Sequence, residues 1–261
     1  MRRAATVALV AVLLTAACSA TAAPPSPTTS TTTSTSTGTS TSTSTSAEPT
    51  SDAPTPTPTA PTASEVDADG TRVRSDGAHV RVLTAPGVRM EKKAADDGSV
   101  HLTFVVPAAA APTTPLAYVS GADAQPFADG TATAGGGGLS PTRGTLVASS
   151  DGVLVLLPRR ADDVGVWFTG ATISTTRWAN QEGGRSLAVT PTAWTRAGGL
   201  AAHDLVWSQL VEREPEADSA TMRAQLQCHE LGAPDKATWN LEPWRPEVSD
   251  LEMIAARCNP T

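Results

Sequence analysis

Aromatic residues make up only 4% of this 261-residue chain, with one Tyr and three Phe, and none falls in the first 65 residues. A segment without aromatics and with few large aliphatics builds no core, so the folding material sits further along, where all six Trp lie between Trp167 and Trp244. Cysteine is equally sparse, with three in all, which excludes a disulfide-dense miniprotein. No apolar run approaches the roughly 20 residues a spanning helix requires, so a polytopic membrane protein is excluded too. Positive charge is never concentrated: the longest basic runs are pairs such as Lys92-Lys93 and Arg159-Arg160, and the formal net charge is −7. Nucleic acid binding depends on a dense basic surface, so no nucleic acid partner is expected.

The amino end has the layout of an export signal over residues 1–17: basic Arg2-Arg3, then an uncharged, mostly apolar stretch from Ala4 to Ala17, too short for a mature membrane helix. It runs into Leu14-Thr15-Ala16-Ala17-Cys18, which resembles a bacterial lipoprotein signal, with Thr15 where such signals more often carry Leu. The resemblance implies lipidation of Cys18 and a partner in the membrane, on the outer face of the cytoplasmic membrane. Cleavage after Ala20-Thr21-Ala22, which would release a secreted product, is the alternative. Residues 18–65 then read as a lipidated Cys and a stalk, with Thr-Ser alternation from Ser30 to Ser46 and Thr-Pro alternation from Pro54 to Pro61. Such a composition offers too little apolar area to offset chain entropy and is expected to stay disordered. Dense Ser, Thr and Pro would also suit O-glycosylation.

From Thr71 to Thr176 apolar and β-branched runs are bounded by Asp-Gly and Pro, the punctuation of strands and hairpins. Strands are predicted at 78–83, 99–106, 144–148, 152–157 and 164–173, and a further one at 185–191. Gly121 to Ser140, with consecutive Gly135 to Gly138, shows no periodicity and reads as a mobile loop. Helix follows: Leu200, His203, Trp207, Leu210 and Val211 share one face. A second helix should start near Asp218-Ser219 and stop before Gly232, and a third has Ser249 and Glu252 as a capping box with Leu251, Ile254, Ala255 and Cys258 on its inner stripe. The fold class expected is α+β: a β-rich antiparallel sheet or small sandwich over about 71–194, then a helical, disulfide-stapled C-terminal part. Residues 66–176 form the β-rich region and 177–261 the C-terminal region; whether these are one domain or two stays open. With Cys18 assigned to lipid, Cys228 and Cys258 form an even pair in an oxidising compartment, where a disulfide is expected over two buried free thiols.

Between those cysteines, Lys236-Ala237-Thr238-Trp239-Asn240-Leu241-Glu242-Pro243-Trp244-Arg245-Pro246 is the densest stretch of chemistry in the chain. Its two internal prolines disfavour helix, so an ordered loop is expected. With Gly183-Gly184-Arg185-Ser186-Leu187, Val189-Thr190-Pro191-Thr192, Cys228-His229 and Cys258-Asn259-Pro260, this string resembles the bacterial family named domain of unknown function 2599 over about Arg177 to Pro260. The resemblance implies an exported actinobacterial protein and supplies no catalytic residue.

His229-Glu230 begins like a zinc helix, but Ala233 stands where the second His belongs. A packed His beside the disulfide is the simpler reading; a metal site from His203 and His229 has no spacing to support it, and neither metal nor other cofactor is implied. Gly184 to Ala188 falls one residue short of a nucleophile elbow and continues as strand, and Gly135 to Gly138 lacks the Lys-Ser/Thr of a phosphate loop. What remains is a candidate binding set: His229, Lys236, Trp239, Asn240, Glu242, Trp244 and Arg245, joined by Glu230. Three readings are open for it: core and backbone satisfaction, binding of an envelope carbohydrate or peptide by indole stacking and polar contacts, or proton exchange by His229 with Glu230 or Glu242. The corresponding functions are a binding or envelope-maintenance module, a secreted hydrolase acting on envelope polymers, or a released toxin-like effector. Open or sealed placement of Trp239, Trp244 and Arg245 separates binding from core. Oligomeric state is not legible.

Overall fold

The computed structural model describes residues 60–261 apart from 107–110, 112, 150, 161 and 182. The export signal, Cys18 and most of the stalk lie outside the described residues. The first described element, α1 (Ala63–Asp69), starts inside the expected stalk: Thr62 and Glu65 cap it reciprocally and Val66 is fully buried. One buried Val and a capping box suffice to end the low-complexity region a few residues early.

Among the described residues eleven strands follow: β1 (Thr71–Ser75), β2 (Ala78–Thr84), β3 (Arg89–Ala94), β4 (Val100–Val105), β5 (Ala117–Ser120), β6 (Gln125–Pro126), β7 (Ala132–Ala134), β8 (Gly137–Thr142), β9 (Gly144–Ala148), β10 (Leu154–Pro158) and β11 (Val164–Thr169). They form two antiparallel sheets, ordered β1-β2-β5-β10-β9 and β3-β4-β11-β8-β7-β6. Alternation sends Val73, Val80 and Val82 of one sheet, and Leu102, Phe104, Leu139, Val166 and Phe168 of the other, into one shared core. The highly charged β3 carries no apolar alternation because it is an edge strand, where charge discourages pairing with other chains.

The predicted loop over 121–140 is instead β6, β7 and the start of β8. Its glycines are positional. Gly135 and Gly136, at φ 58° and 80°, make the two-residue turn between Ala134 and Gly137. Gly138 is bare because the Trp194 ring lies on it: an ideal Cβ would stand 2.1 Å from the ring. Packing against one distant Trp erased the alternation that marks a strand.

The run predicted as one strand over 164–173 is broken at Gly170–Thr172. Gly170 N–H donates to Ser75 Oγ at 3.1 Å, and Gln209 holds the corner by donating to the Gly170 carbonyl at 2.7 Å and accepting from the Thr172 N–H at 3.0 Å. Beyond it, β12 (Ile173–Gln181) and β13 (Gly184–Pro191) open a third sheet, followed by α2 (Ala193–Ala197), α3 (Leu200–Arg213), α4 (Ala220–Gly232), β14 (Trp239–Leu241) and α5 (Asp250–Ala255). The architecture is α+β, β-rich and antiparallel, with its larger helices toward the carboxyl end. Cys228 and Cys258 are disulfide-bonded with Cα atoms 5.4 Å apart, tying α4 to the chain after α5.

Helix faces differ in detail from the sequence pattern. On α3 the buried positions are Ala201, Ala202, Val206 and Leu210, while Leu200 is exposed, because the two small alanines let the helix approach closely beside Trp194. Ser219 caps α4 as expected, but Gly232 is its last helical residue and Ala233 its C-cap, so no left-handed stop occurs there. Ser249 and Glu252 form the expected capping box of α5, yet Met253 and Cys258 face inward and Leu251 and Ile254 outward. The helix ends at Ala255 and the chain passes through positive φ at Arg257 and Cys258, so helical spacing does not carry to Cys258. Among the described residues no helix is long and apolar enough to cross a membrane.

Candidate functional site

The Trp-rich segment, expected as an ordered loop, contains a strand. Trp239, Asn240 and Leu241 are β14, paired antiparallel with Val189, Ala188 and Leu187. Trp239 and Leu241 therefore point to one side and join Ile173, Val206, Leu210, Met222 and Leu226 in the core beneath the sheet; Asn240 points to the other. Trp239 is fully buried and its indole N–H donates to the Ala233 carbonyl at 3.0 Å. Arg196, missed as a candidate, spreads its guanidinium over the carbonyls of Pro234, Lys236 and Ala237 and fixes the approach to β14.

The edge of β14 away from β13 is closed by two side chains one turn apart on α4. Gln225 donates to the Glu242 carbonyl and accepts from the Glu242 N–H, both at 3.0 Å, and His229 Nε2 donates to the Asn240 carbonyl at 3.0 Å. That bond fixes the neutral tautomer with the proton on Nε2, and burial holds the His229 pKa below the usual imidazole range. Glu242 and Arg245 form an ion pair, each side chain 5% exposed, and Arg245 also donates to the Pro260 carbonyl at 2.9 Å. Four of the seven candidate binding residues, His229, Trp239, Glu242 and Arg245, thus direct their polar groups inward. Glu230 turns elsewhere: it accepts from His203 Nδ1 at 2.8 Å, clasping α3 to α4, and raises the His203 pKa, while Gln227 occupies His203 Nε2 at 2.9 Å. His203 and His229 are therefore engaged separately, and the described residues contain no group of three or more His, Cys, Asp or Glu placed to hold a metal.

Lys236, Asn240 and Trp244 reach the surface. Register places Asn240 on the outward face of the third sheet with Thr175, Arg177, Ala179 and Gln181 of β12 and Gly184, Ala188 and Thr190 of β13. A shallow groove of about 430 Å³ runs over this face, lined by Thr175, Arg177, Gln181, Thr190, Thr238 and Asn240 among others. Thr175 and Thr190 are linked across it by a 2.9 Å hydroxyl hydrogen bond. At the hairpin end, where Gln181 pairs with Gly184, the Trp244 indole lies against Gly184, within 2.2 Å of where a Cβ would stand, and remains 40% exposed. Gly184 is thus what admits the ring to the sheet. The groove offers hydroxyls, amides and one guanidinium, with the Trp244 indole beyond its Gln181 end, a set suited to orienting a polyhydroxylated ligand.

A larger cleft of about 1060 Å³ lies where the hairpin turns at Asp76-Gly77, Asp97 and Gly135-Gly136 meet Gln209, Glu212 and Arg213. Gln209 is committed to the corner at Gly170–Thr172, and Arg213 donates to the Ile173 carbonyl at 3.3 Å.

No solved structure matches this chain. Two mycobacterial proteins, the uncharacterized proteins Mb0487 of Mycobacterium bovis and Rv0477 of Mycobacterium tuberculosis, are each 46% identical to it over 93 residues, covering 33% of this chain and 63% of theirs. The uncharacterized protein ML2452 of Mycobacterium leprae is 45% identical over 65 residues, covering 23% of this chain and 53% of its own. The chain therefore spans under two thirds of the length of these relatives. Residues 173–261, from the first residue of β12 to the carboxyl end, match the model of the family described as Protein of unknown function (DUF2599).

Proposed function

We propose that this protein is an exported, lipid-anchored module that holds a carbohydrate of the cell envelope on the outward face of β12, β13 and β14. The observation that carries the reading is the 40% exposed Trp244 indole, seated on Gly184 with the Arg245 guanidinium 4.5 Å from its ring centroid, beyond the Gln181 end of a polar, solvent-facing groove. An indole covers the apolar face of a sugar while neighbouring amides and hydroxyls meet its rim. Binding is favoured over turnover because the obvious acid–base pair is spent: His229 donates to the Asn240 carbonyl and Glu242 pairs with Arg245, both inside the domain. The export signal and Cys18 would place the groove at the envelope, with the Ser/Thr/Pro-rich segment as its tether.

The test is retention of the full chain on isolated, insoluble envelope polysaccharide. Trp244→Ala should release it while circular dichroism stays unchanged; undiminished retention by that variant refutes the reading. The anchor is tested separately: a radioactive fatty acid should label the wild type in cells and not Cys18→Ser.

A further inference from the structure

In a chain of net charge −7, the groove on the outward face contains one charged side chain, Arg177, and no carboxylate among its lining residues. Arg177 projects from β12 opposite Ala188, with Asn240 next across the sheet, so the small Ala188 leaves the middle of the groove open between a guanidinium and an amide. It is exposed and makes no ion pair and no side-chain hydrogen bond among the described residues. Five other arginines of the C-terminal region are engaged: Arg185 with Glu216 and the Trp178 ring, Arg196 with three carbonyls, Arg213 with Ile173, Arg223 over Trp207 and Arg245 with Glu242; Arg257, after α5, is also without a side-chain partner among the described residues but does not line the groove. An unengaged planar fork of donors matches a carboxylate through two parallel hydrogen bonds. The flanking Thr175, Thr190, Thr238, Gln181 and Asn240 match hydroxyls.

Resting on the carbohydrate reading above, we propose that the ligand is an acidic saccharide of the uronic acid kind, whose carboxylate is held by Arg177 while a neighbouring sugar ring lies against Trp244. Arg177 is the specificity-determining residue of the groove and Trp244 its general sugar contact.

The experiment titrates the full chain with oligogalacturonate, with the same oligosaccharide methyl-esterified, and with poly(glycerol phosphate). The free acid should bind about tenfold more tightly than the ester, the order expected for one charge-assisted contact. Arg177→Gln should abolish that ratio, and added salt should narrow it in the wild type alone. Equal, Trp244-dependent affinity for acid and ester overturns the acidic specificity and leaves the carbohydrate reading standing. An acid preference that survives Arg177→Gln overturns the assignment of Arg177. Equal Arg177-dependent binding of poly(glycerol phosphate) overturns the assignment of a carboxylate, and failure of both saccharides to bind overturns the underlying reading together with this one.

Discussion

Gly184→Ala puts a methyl group where the Trp244 indole lies. An ideal Cβ there stands 2.2 Å from Cδ1, 2.6 Å from Nε1 and 2.8 Å from Cγ, closer than real Cβ contacts come, so the ring or the strand must move. Gly184 is not among the residues with positive φ, so alanine meets no backbone strain. By itself the change would stabilise by about 0.4–1 kcal/mol through the unfolded chain. Overpacking against the indole costs about 1–3 kcal/mol. A ring that is 40% exposed has room to swing outward, so the lower half of that range applies and the single variant should be destabilised by up to about 1.6 kcal/mol net. With Trp244→Ala already present the clash is gone, and Gly184→Ala should instead stabilise by about 0.4–1 kcal/mol. A double-mutant cycle by urea unfolding reads this as a reversal of sign, with a coupling of roughly 1–2 kcal/mol at unchanged m. The same effect of Gly184→Ala in both backgrounds would refute the seating of Trp244 on the sheet, and with it the shape of the groove.

Three further outcomes follow from the interior. Glu242→Gln strands the Arg245 guanidinium in a site where both partners are 5% exposed, and should cost about 3–5 kcal/mol in urea unfolding, whereas Glu242→Leu with Arg245→Met should recover most of that. Buried His229 and partly exposed His203 should oppose each other with pH. His229, whose folded pKa is depressed by burial, contributes stability that is present above the unfolded value near 6.5 and is lost as pH falls through its folded pKa. His203, raised by Glu230, contributes stability that is complete below about 6.5 and is lost as pH rises through its folded pKa. Imidazole NMR titration should therefore place His203 above and His229 below that value, and the reverse order contradicts the assignment. Reducing the Cys228–Cys258 bond, which spans 30 residues, should lower stability by roughly 3–4 kcal/mol in the chain-entropy model; an unchanged urea midpoint in dithiothreitol contradicts a stapled α4 and α5.

Strands whose two faces see different solvents were legible from sequence, as at Ala78–Thr84 and Val100–Val105, where burial alternates with the residue pattern. So were helix starts at Ser219 and Ser249, because a cap is a local hydrogen bond that residue type alone announces. Legibility failed where a distant partner decided. Gly135 to Gly138 looked like slack until the turn geometry and Trp194 explained them, and Gly170 hid a corner built by Ser75 and Gln209. In the Trp-rich segment the density of chemistry was visible, but its partition was not. Whether Trp239 or Trp244 faces solvent depends on the register of β14 against β13 and on the bare backbone at Gly184, neither of which the composition of the segment encodes. Arg177 was passed over because an isolated Arg in a Thr-rich strand carries no local signal until the outward face is assembled.

The most direct test of the central claim is to add oligogalacturonate to the isotopically labelled full chain and follow backbone amide and indole resonances. Perturbations confined to Arg177, Thr190, Asn240 and the Trp244 indole are the expected result. Perturbations at Asp76, Asp97 and Glu212, with the outward face of the third sheet silent, would contradict it and move the site to the larger cleft.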